Sequence, residues 1–210
     1  MAGRKGAKPM AETVTSGNRF AAAIAAFDDA NRADPNLVDF AGEKVPKELL
    51  YARQMTEWLI RLASDASEAL RLAVRAQHIR RWESARTGYR GGRAGYLKWR
   101  SDLSRFHARV AGEILESVGY DAKTIARVQA LLRKARLKRD PEAQTLEDVA
   151  CLVFLENYFA DFSKDHDPAK VVDILRKTWA KMSPSGHAAA LELELAADAR
   201  ALLDAALAGG

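Results

Sequence analysis

The chain has 210 residues, 48% hydrophobic and 29% charged, which is enough apolar material for one sizeable core and argues against a disordered or fibrous protein. The formal charge is +5, but residues 75–109 hold ten Lys or Arg against Glu83 and Asp102, a local +8 that leaves the remainder at −3. The single cysteine, Cys151, allows no internal disulfide, and no apolar run approaches the roughly 20 residues of a membrane span, so a cytoplasmic protein without a membrane partner is expected.

The opening MAGRKGAKPM is basic and has no apolar h-region, so residues 1–15 read as a disordered tail rather than a secretory signal. A single helical domain is expected over residues 16–210. SGNRFAAAIAAFDDANRAD is its first helix, with Phe20, Ile24 and Phe27 at helical spacing, Ser16 as N-cap and Pro35 as stop. DPNLVDFAGEKVP reads as a loop. Pro46 suits the first turn of a second helix, where no N–H is needed, and Leu50, Met55, Trp58, Leu59 and Leu62 form its apolar face. Ser64 or Asp65 is the expected cap of a third, ASEALRLAVRAQHIRRW, which puts His78 in or beside the packed face.

ESARTGYRGGRAG breaks the helix with four glycines. LSRFHARVAGEILESVG is the fourth helix, with Phe106, Val110, Ile114 and Leu115 inward and Gly119 as stop. Asp121 caps the fifth, AKTIARVQALLRKARLKR. After DPEAQ comes the sixth, TLEDVACLVFLENYFADF. It is apolar nearly all round, which predicts a central position and a buried, hydrophobe-like Cys151. Asp167 and Pro168 open the seventh, HDPAKVVDILRKTWAKMS, and GHAAALELELAADARALLDAALAGG is the eighth. No alternating β-branched run and no internal repeat is visible. The expected fold class is all-α, one compact domain of seven to eight helices.

Polar groups inside apolar helices need a partner, because an unpaired buried charge costs several kcal/mol. His78, His107 and Asp148 stand out, one on each of three helices. Imidazole nitrogen and carboxylate oxygen suit one divalent ion such as Zn, Mn, Fe or Mg, and bundles draw such ligands from separate helices. The plainer alternatives are hydrogen-bonded histidines and, for Asp148, the N3 place of a capping box opened by Thr145. His166 and His187 lie beside helix starts and read as capping or solvated.

The basic stretch lies between the two histidines. Arg80, Arg81, Arg93 and Arg100 offer guanidinium forks for phosphate oxygens. Trp82, Tyr89, Tyr96 and Trp99 offer rings on which a base or sugar can stack. Lys177, with Arg176 and Trp179, repeats the theme and is expected to close the same pocket. Glu147 or Glu83 is the candidate for proton transfer. The ligand expected is a phosphorylated small molecule or nucleotide. Two alternatives stay open: a non-catalytic RNA-binding protein, since cations interleaved with rings suit single strands, and a metal-free binder of an anionic metabolite or partner protein.

FHARVAGEILESVGYDAKTIARVQALLRKARLKRDPEAQTLEDVACL resembles the later part of the HD-domain phosphohydrolase superfamily, with a likeness covering roughly residues 50–160. The resemblance implies an HD-like core and a metal held by a first His, a His–Asp pair and a later Asp. The pair falls on His78 and Ile79 and the later Asp on Asp148, while His107 matches an auxiliary His. The first His falls near Tyr51, so two of the four positions depart from the pattern. The implied activity is metal-assisted hydrolysis, in which the ion acidifies a bound water and polarises the phosphoryl oxygen. QHIRRWE, GRAGYLKWR, LEDVACLVFLE and RKTWAKMSPSGHAAAL are also similar to the signature segments of a family catalogued as a domain of unknown function, of the DUF4202 type, over residues 47–192. Some of its members carry a glutamyl-tRNA synthetase label, which this sequence does not support: it has no nucleotide-binding signature of those enzymes and lacks their length.

Overall fold

The structure, a computed structural model, describes residues 16–137 and 139–208. The basic tail over residues 1–15 and the side chain of Ser16 lie outside the described residues. Helix α1 runs Ser16–Arg32 and buries Ala23 and Phe27 completely. The next segment, expected to be a loop, is a small hairpin of β1 (Leu37–Phe40) and β2 (Glu43–Pro46), antiparallel, with Leu37 opposite Pro46 and Phe40 opposite Glu43. Ala41 and Gly42 both have positive φ, 51° and 83°. A two-residue turn of that kind matches the natural twist of paired strands, and it was hidden by the alanine in its first position.

Helix α2 (Lys47–Leu62) follows Pro46 and buries Leu50, Met55, Trp58 and Leu59. Helix α3 spans only Glu68–Arg75, and its cap is Ser67, whose side chain accepts from the Leu70 N–H. His78 therefore sits on a turn beyond the helix, not on it. Two remote residues fix that turn. The Arg75 guanidinium, 8% exposed, donates twice to Asp28 at 2.7 and 2.6 Å and once to Thr56 Oγ1 at 3.1 Å, tying the end of α3 to α1 and α2. Asn31 on α1 is fully buried, and its Oδ1 accepts from the Arg80 N–H at 3.0 Å. Arg80 itself takes φ +51°, and Ala76 and Ile79 are fully buried beneath the turn.

Short 3-10 turns at Arg81–Glu83 and Arg86–Gly88 lead to α4, which runs Gly92–Ser117 and so begins well before the expected Leu103. Gly95, read as loop, lies within its first turns because the chain passes close by. A Cβ there would stand 1.9 Å from the Arg90 carbonyl oxygen. Helix α5 (Ala122–Leu132) is capped by Asp121, which accepts from the Thr124 N–H at 2.9 Å. It stops at a turn in which Lys134 and Arg136 are left-handed.

Helix α6 (Pro141–Asn157) is capped by Asp140, so Asp148 is not at the N3 place of a Thr145 box. It packs against α2, α3, α5 and α9 at the centre of the molecule, as its all-round apolar sequence predicted. Helix α7 is Phe159–Lys164, and α8 (Pro168–Trp179) starts at the expected Asp167 cap. The expected eighth helix is two: α9 (Pro184–Leu191), capped by Ser183, and α10 (Ala197–Leu207), packed on α8. The fold is all-α apart from the hairpin. Among the described residues no helix is long and apolar enough to cross a membrane.

Candidate functional site

A cavity of about 510 Å³ opens between α2, the turn after α3, the first half of α4, the turn after α5 and α6. Small-molecule sites typically measure about 300–1,000 Å³. Five cations line it: Arg81, Arg100, Arg133, Lys134 and Lys181. Among the described lining residues the only carboxylate is Glu147, 5% exposed. It pairs closely with Lys134 and more loosely with Lys181, at 4.0 Å. Burial alone would raise the Glu147 carboxyl, but Lys134, Lys181 and Arg100 outweigh it and hold the group below the usual range. Cys151, 6% exposed, is pushed up to about 12 by burial and then by Glu147, so its thiol stays protonated and inert.

Two histidines meet in the cavity wall. The His78 ring stacks on Tyr51, with centroids 4.0 Å apart and planes 12° apart, and stands 5.9 Å from the His107 ring. Its Nδ1 is 3.3 Å from Glu48 Oε2 and 3.4 Å from Arg81 Nη1. His107 is 4% exposed, and its Nδ1 lies 2.8 Å from the Ile79 carbonyl oxygen. A carbonyl only accepts, so Nδ1 carries the proton and the neutral ring keeps a lone pair on Nε2. That Nε2 is buried without a partner, as is Oε1 of the neighbouring Gln77. Burial, then the charges of Arg81, Lys134 and Arg100, hold His78 far below the ordinary imidazole range. Burial, then His78, bring His107 down to about 3. Both rings are neutral at neutral pH. A smaller pocket of about 210 Å³ adjoins the first, shares Tyr51, His78 and Arg81 with it, and adds Lys47 and Glu48.

The family described as Domain of unknown function (DUF4202) matches residues 21–203. The chain belongs to the DUF4202 family. No curated protein and no solved structure matches it. The likeness to HD phosphohydrolases therefore gains no support from relatives, and Ile79, which that resemblance sets at the place of a paired Asp, is fully buried.

Of the residues singled out in the sequence, His78, Arg81, Tyr96, Trp99, Arg100, His107 and Glu147 line the DUF4202 cavity. The others do not. Arg80 and Glu83 pair with each other at 2.6 Å on the surface, which removes Glu83 as a proton-transfer group for the cavity. Trp82 is half-buried outside the lining and Arg93 is exposed. Lys177 is 69% exposed and pairs with Asp173 one turn back on α8. Arg176 donates to the Ala206 carbonyl at 3.2 Å, so this segment contributes Thr178 and Lys181 to the cavity instead. Trp99 donates to the Ser84 carbonyl at 2.9 Å and is 9% exposed, which leaves Tyr96, at the rim, as the open ring. His166 and His187 each stack on an aromatic neighbour, Phe162 and Trp179, and each meets a backbone carbonyl, at 2.8 and 2.9 Å.

Asp148 is the largest departure. Its Oδ1 accepts from Ser183 N at 2.8 Å and Gln144 Nε2 at 2.9 Å, and its Oδ2 from Ser183 Oγ at 2.6 Å. It faces the start of α9, not the histidines. Glu48 Oε2 lies 3.3 Å from His78 Nδ1. Among the described residues no group of three or more His, Cys, Asp or Glu side chains is placed to hold a metal ion. Arg81, Arg100 and Lys134 around the imidazoles would also repel a dication. The residues present do not fit the divalent ion that the HD resemblance implies. Gln77, Arg133, Lys134 and Lys181 are among the polar lining residues not anticipated from sequence.

Proposed function

We propose that the protein binds a phosphorylated small molecule, of sugar-phosphate or nucleotide size, in this cavity and does so without a metal ion. The observation that carries the reading is the charge balance: five cations and, among the described lining residues, one carboxylate line the cavity, and that carboxylate is already paired. Arg81, Arg100 and Arg133 form no ion pair among the described residues; Arg81 Nη1 lies 3.4 Å from His78 Nδ1 and Arg100 Nη1 donates to the Tyr96 hydroxyl at 3.2 Å, which leaves their other N–H groups for phosphate oxygens. The pocket walls lower the local dielectric, which strengthens attraction for an anion. The expectation of hydrolysis needed an ion held by His78, His107 and Asp148. With Asp148 committed elsewhere, the phosphate-binding half of that expectation is the part the geometry favours.

Thermal unfolding of the full chain tests this with glucose 6-phosphate, ribose 5-phosphate, AMP and GMP, each with and without EDTA. At least one ester should raise the midpoint, indifferent to chelator. A ligand at about one hundred times its Kd stabilises by about 2.7 kcal/mol, a shift of several degrees. Replacing Arg81 and Arg100 together by Ala should abolish the shift. The reading fails if no ester acts, or if EDTA removes the effect. Binding confined to single-stranded RNA, falling steeply with salt, would instead make this a nucleic-acid protein.

A further inference from the structure

The cations account for an anion but not for two other features of the same wall. His107 Nε2 and Gln77 Oε1 are both buried and both without a partner. A buried polar atom left unmet costs free energy, so native structures rarely tolerate one without a reason. Here two occur on residues that line one cavity. Their chemistry is also the same. The Ile79 carbonyl fixes the His107 proton on Nδ1, at 2.8 Å, so Nε2 can only accept. The Gln77 carboxamide oxygen can only accept. Neither can meet the oxygens of a phosphate monoester dianion, which carry no proton and only accept. They call for N–H or O–H groups on the remainder of the ligand.

Resting on the phosphate-binding reading above, we infer that the ligand is a phosphate monoester whose carbon part carries hydrogen-bond donors, set against the paired acceptors His107 Nε2 and Gln77 Oε1. Sugar hydroxyls and a nucleobase amino group share that chemistry. The site discriminates against phosphates that bring no donor, such as alkyl phosphates. Sites built to hydrogen-bond a substrate reject analogues lacking the group, because their own polar atoms are then stranded.

Titration calorimetry of the full chain at about pH 8, where monoesters are dianions, decides it, with methyl phosphate, glucose 6-phosphate and 2′,3′-dideoxyadenosine 5′-monophosphate as probes. The last has a base amino group and no sugar hydroxyl, so the two donor sources separate. At least one of the donor-bearing esters should bind about tenfold or more tighter than methyl phosphate. His107→Asn keeps an N–H near the place of Nδ1 for Ile79 and deletes Nε2. It should weaken the donor-bearing ester about tenfold more than methyl phosphate. His107→Gln puts a polar atom back near the Nε2 position and should restore part of the preference. Gln77→Leu should collapse the preference in the same way, and serves if the His107 variants do not fold. Arg100→Ala should weaken every phosphate alike. Should methyl phosphate bind as tightly as the donor-bearing esters, the anion site stands and this inference falls. Should no phosphate bind at all, both fall.

Discussion

Asp148 is 2% exposed and spends both carboxylate oxygens on the junction of α6 with α9. Ser183, which it holds, in turn accepts from the Gly186 N–H at 3.2 Å as the α9 cap. A Cβ on Gly186 would lie 2.9 Å from Asp148 Oδ1, so the two chains are already in close approach there. Asp148→Ala would strand Ser183 N, while Ser183 Oγ keeps Gly186 N and Ser185 Oγ, and should cost about 1–3 kcal/mol of unfolding free energy, read by urea denaturation. Asp148→Asn keeps an acceptor for Ser183 N and should cost less. Calorimetry of Asp148→Asn should find phosphate-ester affinity little changed, whereas a metal-ligand role requires it to collapse. The misplacement of Asp148 in the sequence reading has a geometric cause. Successive helical residues point about 100° apart, so of the adjacent acids Glu147 and Asp148 only one can face the cavity. Burial and an apolar setting mark both alike. The choice is made by Ser183, 35 residues away. The histidines were legible because both lie among apolar neighbours. Lys134 was not, because it read as one more cation on a solvated helix end.

The turn after α5 shows how an element's end can serve the site. Lys134 N donates to the Leu131 carbonyl at 2.8 Å and Ala135 N to that of Ala130 at 3.0 Å, closing α5 and turning Lys134 toward Glu147. Lys134 and Arg136 hold φ of 52° and 63°, a region that costs a residue with a Cβ roughly 1–2 kcal/mol. Arg136 is exposed. Arg136→Gly should therefore raise the unfolding free energy by about 0.5–1 kcal/mol in urea titrations. Lys134→Gly relieves the same strain but leaves the buried Glu147 with only the distant Lys181. It should lower stability, so equal and favourable effects from the two glycines would refute the pairing. At this scale the sequence was readable wherever a cap sits beside a periodic run, as at Asp121 and at Asp167 with Pro168. It was unreadable where an end is set from afar: α3 stops for Asp28 and Asn31, and α4 starts early because Gly95 admits the Arg90 carbonyl. The hairpin's four-residue strands are too short for alternation to register.

The whole molecule keeps two imidazoles neutral inside a cationic wall, and that arrangement couples folding to pH. In the unfolded chain a histidine titrates near 6.5. In the fold, burial and Arg81 hold His78 well below that, and burial and His78 hold His107 at about 3. Above pH about 6.5 each ring is neutral in both states and the contribution is complete. Below it the unfolded chain takes up protons that the fold refuses, so stability falls as pH falls, by up to about 1.4 kcal/mol per pH unit per histidine. For His107 the loss continues down to about pH 3. The carboxyls of Asp140 and Glu147, held low by Arg127 and by Lys134, add their own losses only below the carboxylate range. Glu48 works in the opposite direction, since burial raises its pKa and its protonation favours the fold at low pH. The net slope between about pH 6.5 and pH 5 should still be positive and set mainly by the two rings. Urea titrations across that window should show it, and His107→Asn should make the slope shallower by up to about 1.4 kcal/mol per pH unit. A bound phosphate ester offsets the charges of Arg81, Arg100 and Lys134 that depress His78. It should therefore ease protonation of that ring and make the slope between about pH 6.5 and pH 5 shallower at saturating ligand. A slope that a saturating phosphate ester leaves unchanged, in a chain that calorimetry shows to bind one, would place the ligand away from His78.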